Sequence, residues 1–139
     1  MRALTSAVVV LALACDPNTV TAPPPPVAVS PQVTFTASGA PAAQCQPTIS
    51  VSVAGPVGTQ LTWVGMGIRV EWDPPYDTNL DLAFTQRFWA GDGLAAGEAA
   101  SSNGMLFTGP APIQATMRFR YRLTGDLATH ADSVAILCA

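Results

Sequence analysis

Beyond Pro31 the chain alternates apolar and polar residues with a period of two, and glycine or proline breaks the alternation at intervals of roughly eight to twelve residues. A period of two belongs to a strand that buries one face and wets the other. The pattern predicts strands at Gln32–Ala37, Thr48–Ala54, Gln60–Val64, Gly67–Trp72, Leu80–Thr85, Met105–Thr108, Ile113–Thr124 and Ser133–Leu137. Ile113–Thr124 is the clearest: Ile113, Ala115, Met117, Phe119, Tyr121 and Leu123 share one face, and Gln114, Thr116, Arg118, Arg120, Arg122 and Thr124 share the other. Gly125 and Asp126 then open a turn into the last strand, so the two form a hairpin. The segment Phe88–Gly104 lacks alternation and reads as a long loop with room for a short helical turn. Seven or eight short strands within residues 32–139 imply an all-β fold, a single antiparallel β-sandwich with one core.

The first 31 residues follow other rules. Arg2 precedes an uncharged run of twelve residues, Ala3 to Ala14, that ends at Cys15. A helix of that length reaches about 18 Å, well short of the roughly 30 Å of hydrocarbon in a bilayer, so residues 1–14 have the layout of a signal peptide and not of a span. From Asp16 to Pro31 there are six prolines, four of them consecutive at Pro23 to Pro26. They fix φ and remove backbone donors, which favours polyproline II and makes residues 15–31 a tether of roughly 45 Å.

Only 11% of the residues are charged, and every positive charge is an arginine: Arg2, Arg69, Arg87, Arg118, Arg120 and Arg122. With a net charge of −3 there is no concentrated basic surface of the kind that releases counterions from a polyphosphate, so nucleic acid is not an expected partner. Arg118, Arg120 and Arg122 nevertheless fall about 6.6 Å apart on one strand face, a row of roughly 13 Å suited to acidic protein groups or lipid headgroups. This row, together with Phe88 and Trp89 at the start of the long loop, is the expected partner-binding surface; the alternative is a wet sheet face neutralised by neighbours such as Glu71.

The run Leu11-Ala12-Leu13-Ala14-Cys15 resembles the lipobox of bacterial lipoproteins, departing from it in having Ala12 where leucine is usual. The resemblance implies cleavage before Cys15 and a covalent lipid on its sulfur, which fixes the chain to a membrane. Asp16, directly after that cysteine, implies retention on the periplasmic face of an inner membrane, with the outer membrane or cell surface as the alternative. With Cys15 so used, Cys45 and Cys138 remain as an even pair in an oxidising compartment. They are expected to form a disulfide closing about 94 residues, worth roughly 4 to 5 kcal/mol in the chain-entropy picture; two free thiols are the alternative. Beyond Gln32 the architecture resembles immunoglobulin-like and fibronectin type III domains, with Trp63 or Trp72 on an early strand, the run Val70-Glu71-Trp72-Asp73-Pro74-Pro75 and a late strand rich in aromatics. It departs from the antibody pattern in placing the cysteine pair at the two ends of the domain.

Residues with chemistry are few. The lone histidine, His130, is followed by Asp132 and Ser133, but strand alternation sends neighbours to opposite faces, so no triad is expected. Asp77, Asn79 and Asp81 place oxygens at alternate positions as calcium loops do, yet the sixth and twelfth positions of such a loop hold Leu82 and Phe88 instead of glycine and glutamate. A weak calcium site is the most these residues offer, and a solvated acidic turn is the alternative. No phosphate loop or nucleophile elbow is present in the sequence. The expectation is a non-catalytic, membrane-tethered periplasmic interaction module with no cofactor beyond the lipid. It would serve as an extrinsic accessory subunit of a larger inner-membrane complex, respiratory or photosynthetic assemblies being examples. A cell-surface adhesion or carbohydrate-binding domain, possible with calcium, is the alternative.

Overall fold

The structure is a computed structural model that describes residues 30–39, 41 and 44–139. The expected signal peptide, Cys15 and the proline-rich segment to residue 29 lie outside the described residues. The elements are β1 (Gln32–Ala37), β2 (Ile49–Ala54), β3 (Gln60–Val70), β4 (Tyr76–Leu80), α1 (Leu82–Trp89), β5 (Gly93–Ala95), β6 (Ala99–Ser102), β7 (Ile113–Leu123) and β8 (His130–Cys138). They build two antiparallel sheets. One has the order β1-β2-β6; the other has the order β4-β3-β7-β8, with β5 also paired to β3. Their facing sides enclose one core, so the all-β sandwich is the architecture of the domain.

The strands that keep a single register obey alternation. β7 buries Ile113, Ala115, Met117, Phe119 and Tyr121 and turns Gln114, Thr116, Arg118, Arg120 and Arg122 outward, and β2 buries Ile49, Val51 and Val53. The centre is aromatic: Phe35 stacks on Phe119 with ring centroids 4.6 Å apart, and Trp63 stacks on Trp89 at 5.1 Å. Offset and edge contacts of this kind add to the burial of large apolar surfaces. The disulfide Cys45–Cys138 forms, with Cα atoms 5.7 Å apart. It clips the end of β8 to the segment that enters β2, and Cys45 also pairs across an isolated bridge with Phe107.

Three parts of the strand pattern are corrected. β3 is one continuous strand of eleven residues where two were expected, because a register shift between Trp63 and Gly65 inserts Val64 as a bulge. The bulge switches the buried phase from Leu61 and Trp63 to Met66, Ile68 and Val70, which in the sequence looks like a break. Leu80–Thr85 is not a strand: Asp81 accepts the Phe84 N–H at 2.7 Å and caps α1. The helix buries Thr85, Phe88 and Trp89 at the i, i+3, i+4 spacing of a single helical face and fills the space over β3 that the short sheet leaves open. The expected loop Phe88–Gly104 therefore holds the end of α1 and the strands β5 and β6, while Met105–Thr108 contributes only the Phe107 bridge.

Candidate functional site: an arginine face on the larger sheet

The outer face of the larger sheet is organised by β7. Its register sets Arg118 opposite Gly67, Arg120 opposite Gly65 and Arg122 opposite Thr62 on β3, with Ser133 and Ala131 of β8 on the other side of Arg118 and Arg120. The glycines matter sterically. A methyl at Gly67 would lie 3.2 Å from Arg118 Nε, and one at Gly65 would lie 2.8 Å from an Arg120 guanidinium nitrogen, so both side chains lie across β3 over ground only glycine leaves free. The guanidiniums spread flat on the sheet instead of standing off it.

Charge along the face is uneven. Arg118 is paired with Asp77 of β4, whose second oxygen is 3.6 Å from Arg69, and Arg69 donates to Glu71 at 2.6 Å. This pairing holds the Glu71 carboxyl below its usual range. Arg122 approaches the Thr129 hydroxyl at 3.5 Å, and neither Arg120 nor Arg122 has a carboxylate within ion-pair distance among the described residues. Four guanidiniums thus face two carboxylates, and the excess sits at the Arg120 and Arg122 end. Exposed ion pairs of this type contribute little to stability, so the arrangement does more to set charge and side-chain direction than to hold the fold.

Phe88 and Trp89 do not join this face. They are 8% and 6% exposed and lie in the core, Phe88 edge-on to Trp89, because the helix that carries them packs inward on β3. They offer no partner surface. Neither a scan against family models nor searches of curated proteins and of solved structures finds a match to this chain.

The acidic triplet is divided. Asp77 spends its oxygens on Arg118 and Arg69, Asn79 lies beside Gly67 on the outer face of β4, and Asp81 caps α1. They sit on a strand and a helix cap, not in a loop, and do not converge; among the described residues no three His, Cys, Asp or Glu are placed to hold a metal ion. His130 bonds to Asp126 at 2.7 Å and stacks on Tyr121, whose hydroxyl donates to Asp132. Burial and the Asp132 carboxylate push the Tyr121 phenol well above its usual range. Ser133 opposes Arg118 on the outer face, away from the side shared by Tyr121 and His130.

A second feature was not anticipated. Trp72, Tyr76, Leu80, Phe84, Met105 and Leu106 line an apolar cleft of about 470 Å³ where the edge strand β4 runs out beyond the smaller sheet. The sequence signal for it is the cluster of aromatic residues around Pro74 and Pro75. The signal for the flattened arginines is Gly65-Met66-Gly67, two glycines at alternate positions of a strand.

Proposed function

We propose that this protein is a non-catalytic interaction module, fixed to a membrane outside the cytoplasm by a lipid on Cys15 and docking through its arginine face on an acidic surface of a larger membrane assembly. The observation that carries the reading is the unneutralised end of that face, where Arg120 and Arg122 lie over and beside glycine, threonine and alanine with no carboxylate in reach among the described residues. Planar guanidiniums held against a sheet are positioned to meet carboxylates in paired geometry, and removing water from such pairs is what gives them weight at an interface. The Cys45–Cys138 disulfide is compatible with an oxidising, extracytoplasmic location. Among the described residues no helix is long and apolar enough to cross a membrane. The support for attachment at Cys15 is the lipobox-like run that precedes it.

The test is extraction of membranes in mild detergent and capture of the intact chain. The expected result is recovery of a membrane assembly by the natural protein and its loss, together with a reduced salt dependence, in the Arg120→Ala, Arg122→Ala double variant. Elution of the natural protein alone in every detergent overturns the reading. A second reading, a carbohydrate- or ligand-binding domain, draws support from the Trp72 and Tyr76 rings, 6.2 Å apart at the mouth of the cleft. Calorimetric titration with oligosaccharides, with and without a Trp72→Ala substitution, separates it from the first.

A further inference from the structure

The two most exposed aliphatic side chains stand at one end of the sandwich, and it is the end where the N-terminal segment joins. Val57 and Leu127 have relative accessibilities of 105% and 99%. Val57 tops the β2–β3 turn, closed by the Thr59 N–H on Pro56 O at 3.0 Å. Leu127 tops the β7–β8 turn, which is tied to the start of β3 by the Gln60 N–H on Thr124 Oγ1 at 3.0 Å and the Thr124 N–H on Gln60 O at 2.9 Å. The β5–β6 turn joins them through the Ala96 N–H on Thr59 O at 2.9 Å. Pro31 enters beside these turns, since a methyl on Gly55 would lie 3.2 Å from its Cα.

The two carboxylates at this end are exposed but each is hydrogen-bonded to the protein. Asp126 accepts the Ala128 N–H and bonds His130, and Glu98 accepts the Ala95 N–H. Arg122, the last arginine of the row, is near this end without an acidic partner among the described residues. Protruding aliphatic side chains on pinned turns beside an available guanidinium have the chemistry that enters an anionic bilayer interface.

We propose that this end of the domain rests on the membrane, with Val57 and Leu127 entering the boundary between headgroups and acyl chains. The inference rests on the lipid-tethered reading. What selects a bilayer as the occupant is where the described chain begins: Pro31 lies beside these turns, and the fifteen residues from Cys15 to position 29, at about 3.1 Å each, set a reach of roughly 45 Å from the anchor. At that distance contact is intramolecular, at an effective concentration on the order of millimolar, so two side chains suffice where they would not for a free protein.

Amide hydrogen exchange of the lipid-bearing chain on vesicles of phosphatidylethanolamine and phosphatidylglycerol, against the Cys15→Ser chain in buffer, tests this. The expected result is about tenfold slower exchange at Val57, Gly58, Leu127 and Ala128, with no change at Gly109 and Ala111 at the other end. In the Val57→Ser, Leu127→Ser variant the protection should vanish while the protein still sediments with the vesicles. These side chains are fully exposed, so the variant folds. Sedimentation with unprotected turns overturns this inference and leaves the anchor intact; failure to sediment removes the anchor and the inference together.

Discussion

The two outer faces of the sandwich share one core and have almost nothing else in common. On the smaller sheet Gln32, Thr34, Thr36, Ser50, Ser52, Ala54, Ala99 and Ser101 point outward, and its three strands contain no charged residue. Its one side-chain bond across strands joins the Ser50 and Ser101 hydroxyls at 2.8 Å. The larger sheet instead gathers Arg69, Arg118, Arg120 and Arg122 with Asp77 and Glu71. Such a division places directional, salt-sensitive recognition on one side only and leaves the other wettable but indifferent. The difference does not come from the core, which is equally apolar under both; it comes from the two glycines of β3 that let long cations lie down.

The comparison breaks most completely where the sheets are joined. Replacing Cys45 and Cys138 together by serine should cost about 4 to 5 kcal/mol, from the 93-residue separation they bridge, measured by urea denaturation under oxidising conditions. Phe119→Ala, which removes the ring stacked on Phe35 between the sheets, should cost about 3 to 4 kcal/mol and leave a single cooperative transition, since both faces stand on the same layer.

The faces themselves respond less, and differently. Gly67→Val should cost about 1 kcal/mol by driving the Arg118 side chain off β3 and parting it from Asp77, whereas Ser52→Val on the hydroxyl face should change stability by less than about 0.5 kcal/mol, both read from chemical denaturation. Asp77→Asn should alter stability by under about 1 kcal/mol, because the pair is some 40% exposed, yet raise salt-sensitive retention on a cation exchanger by freeing Arg118, while Arg69 stays paired with Glu71. The smallest effect is a pH slope. The Ala128 N–H and His130 hold the Asp126 carboxyl below its ordinary value, and Arg69 does the same for Glu71. Because folding lowers these values, their stabilising contribution is complete above the unfolded carboxylate range and fades as pH falls through the lowered ones, below about pH 4. Thermal denaturation across pH should show Asp126→Asn flattening this acid limb, while substitutions on the smaller sheet, which has no titrating group, leave it unchanged.

How much of this was legible depends on whether period and environment agreed. β1 matched its expected limits and β7 came within one residue, because each keeps one phase from end to end. β8 begins three residues earlier than expected, since His130 and Asp132 are polar residues on the core-facing side of an edge strand that the smaller sheet does not cover there. β3 was hidden by its bulge, and α1 by its brevity: eight residues carry too few turns to outweigh strand-forming neighbours, though Asp81 as cap and the spacing of Thr85, Phe88 and Trp89 were available signs. The arginine row was visible because a strand fixes its side chains in a line. Its flattening was not, because that depends on which strand pairs with which.

The stacking of Trp63 on Trp89 has a consequence for how the molecule can be watched. The ring planes are 8° apart, one indole on β3 and the other at the end of α1, close enough for their excited states to interact. Circular dichroism in the aromatic absorption bands therefore carries an optical gauge of helix docking, separate from the signal of the strands and available without any added label.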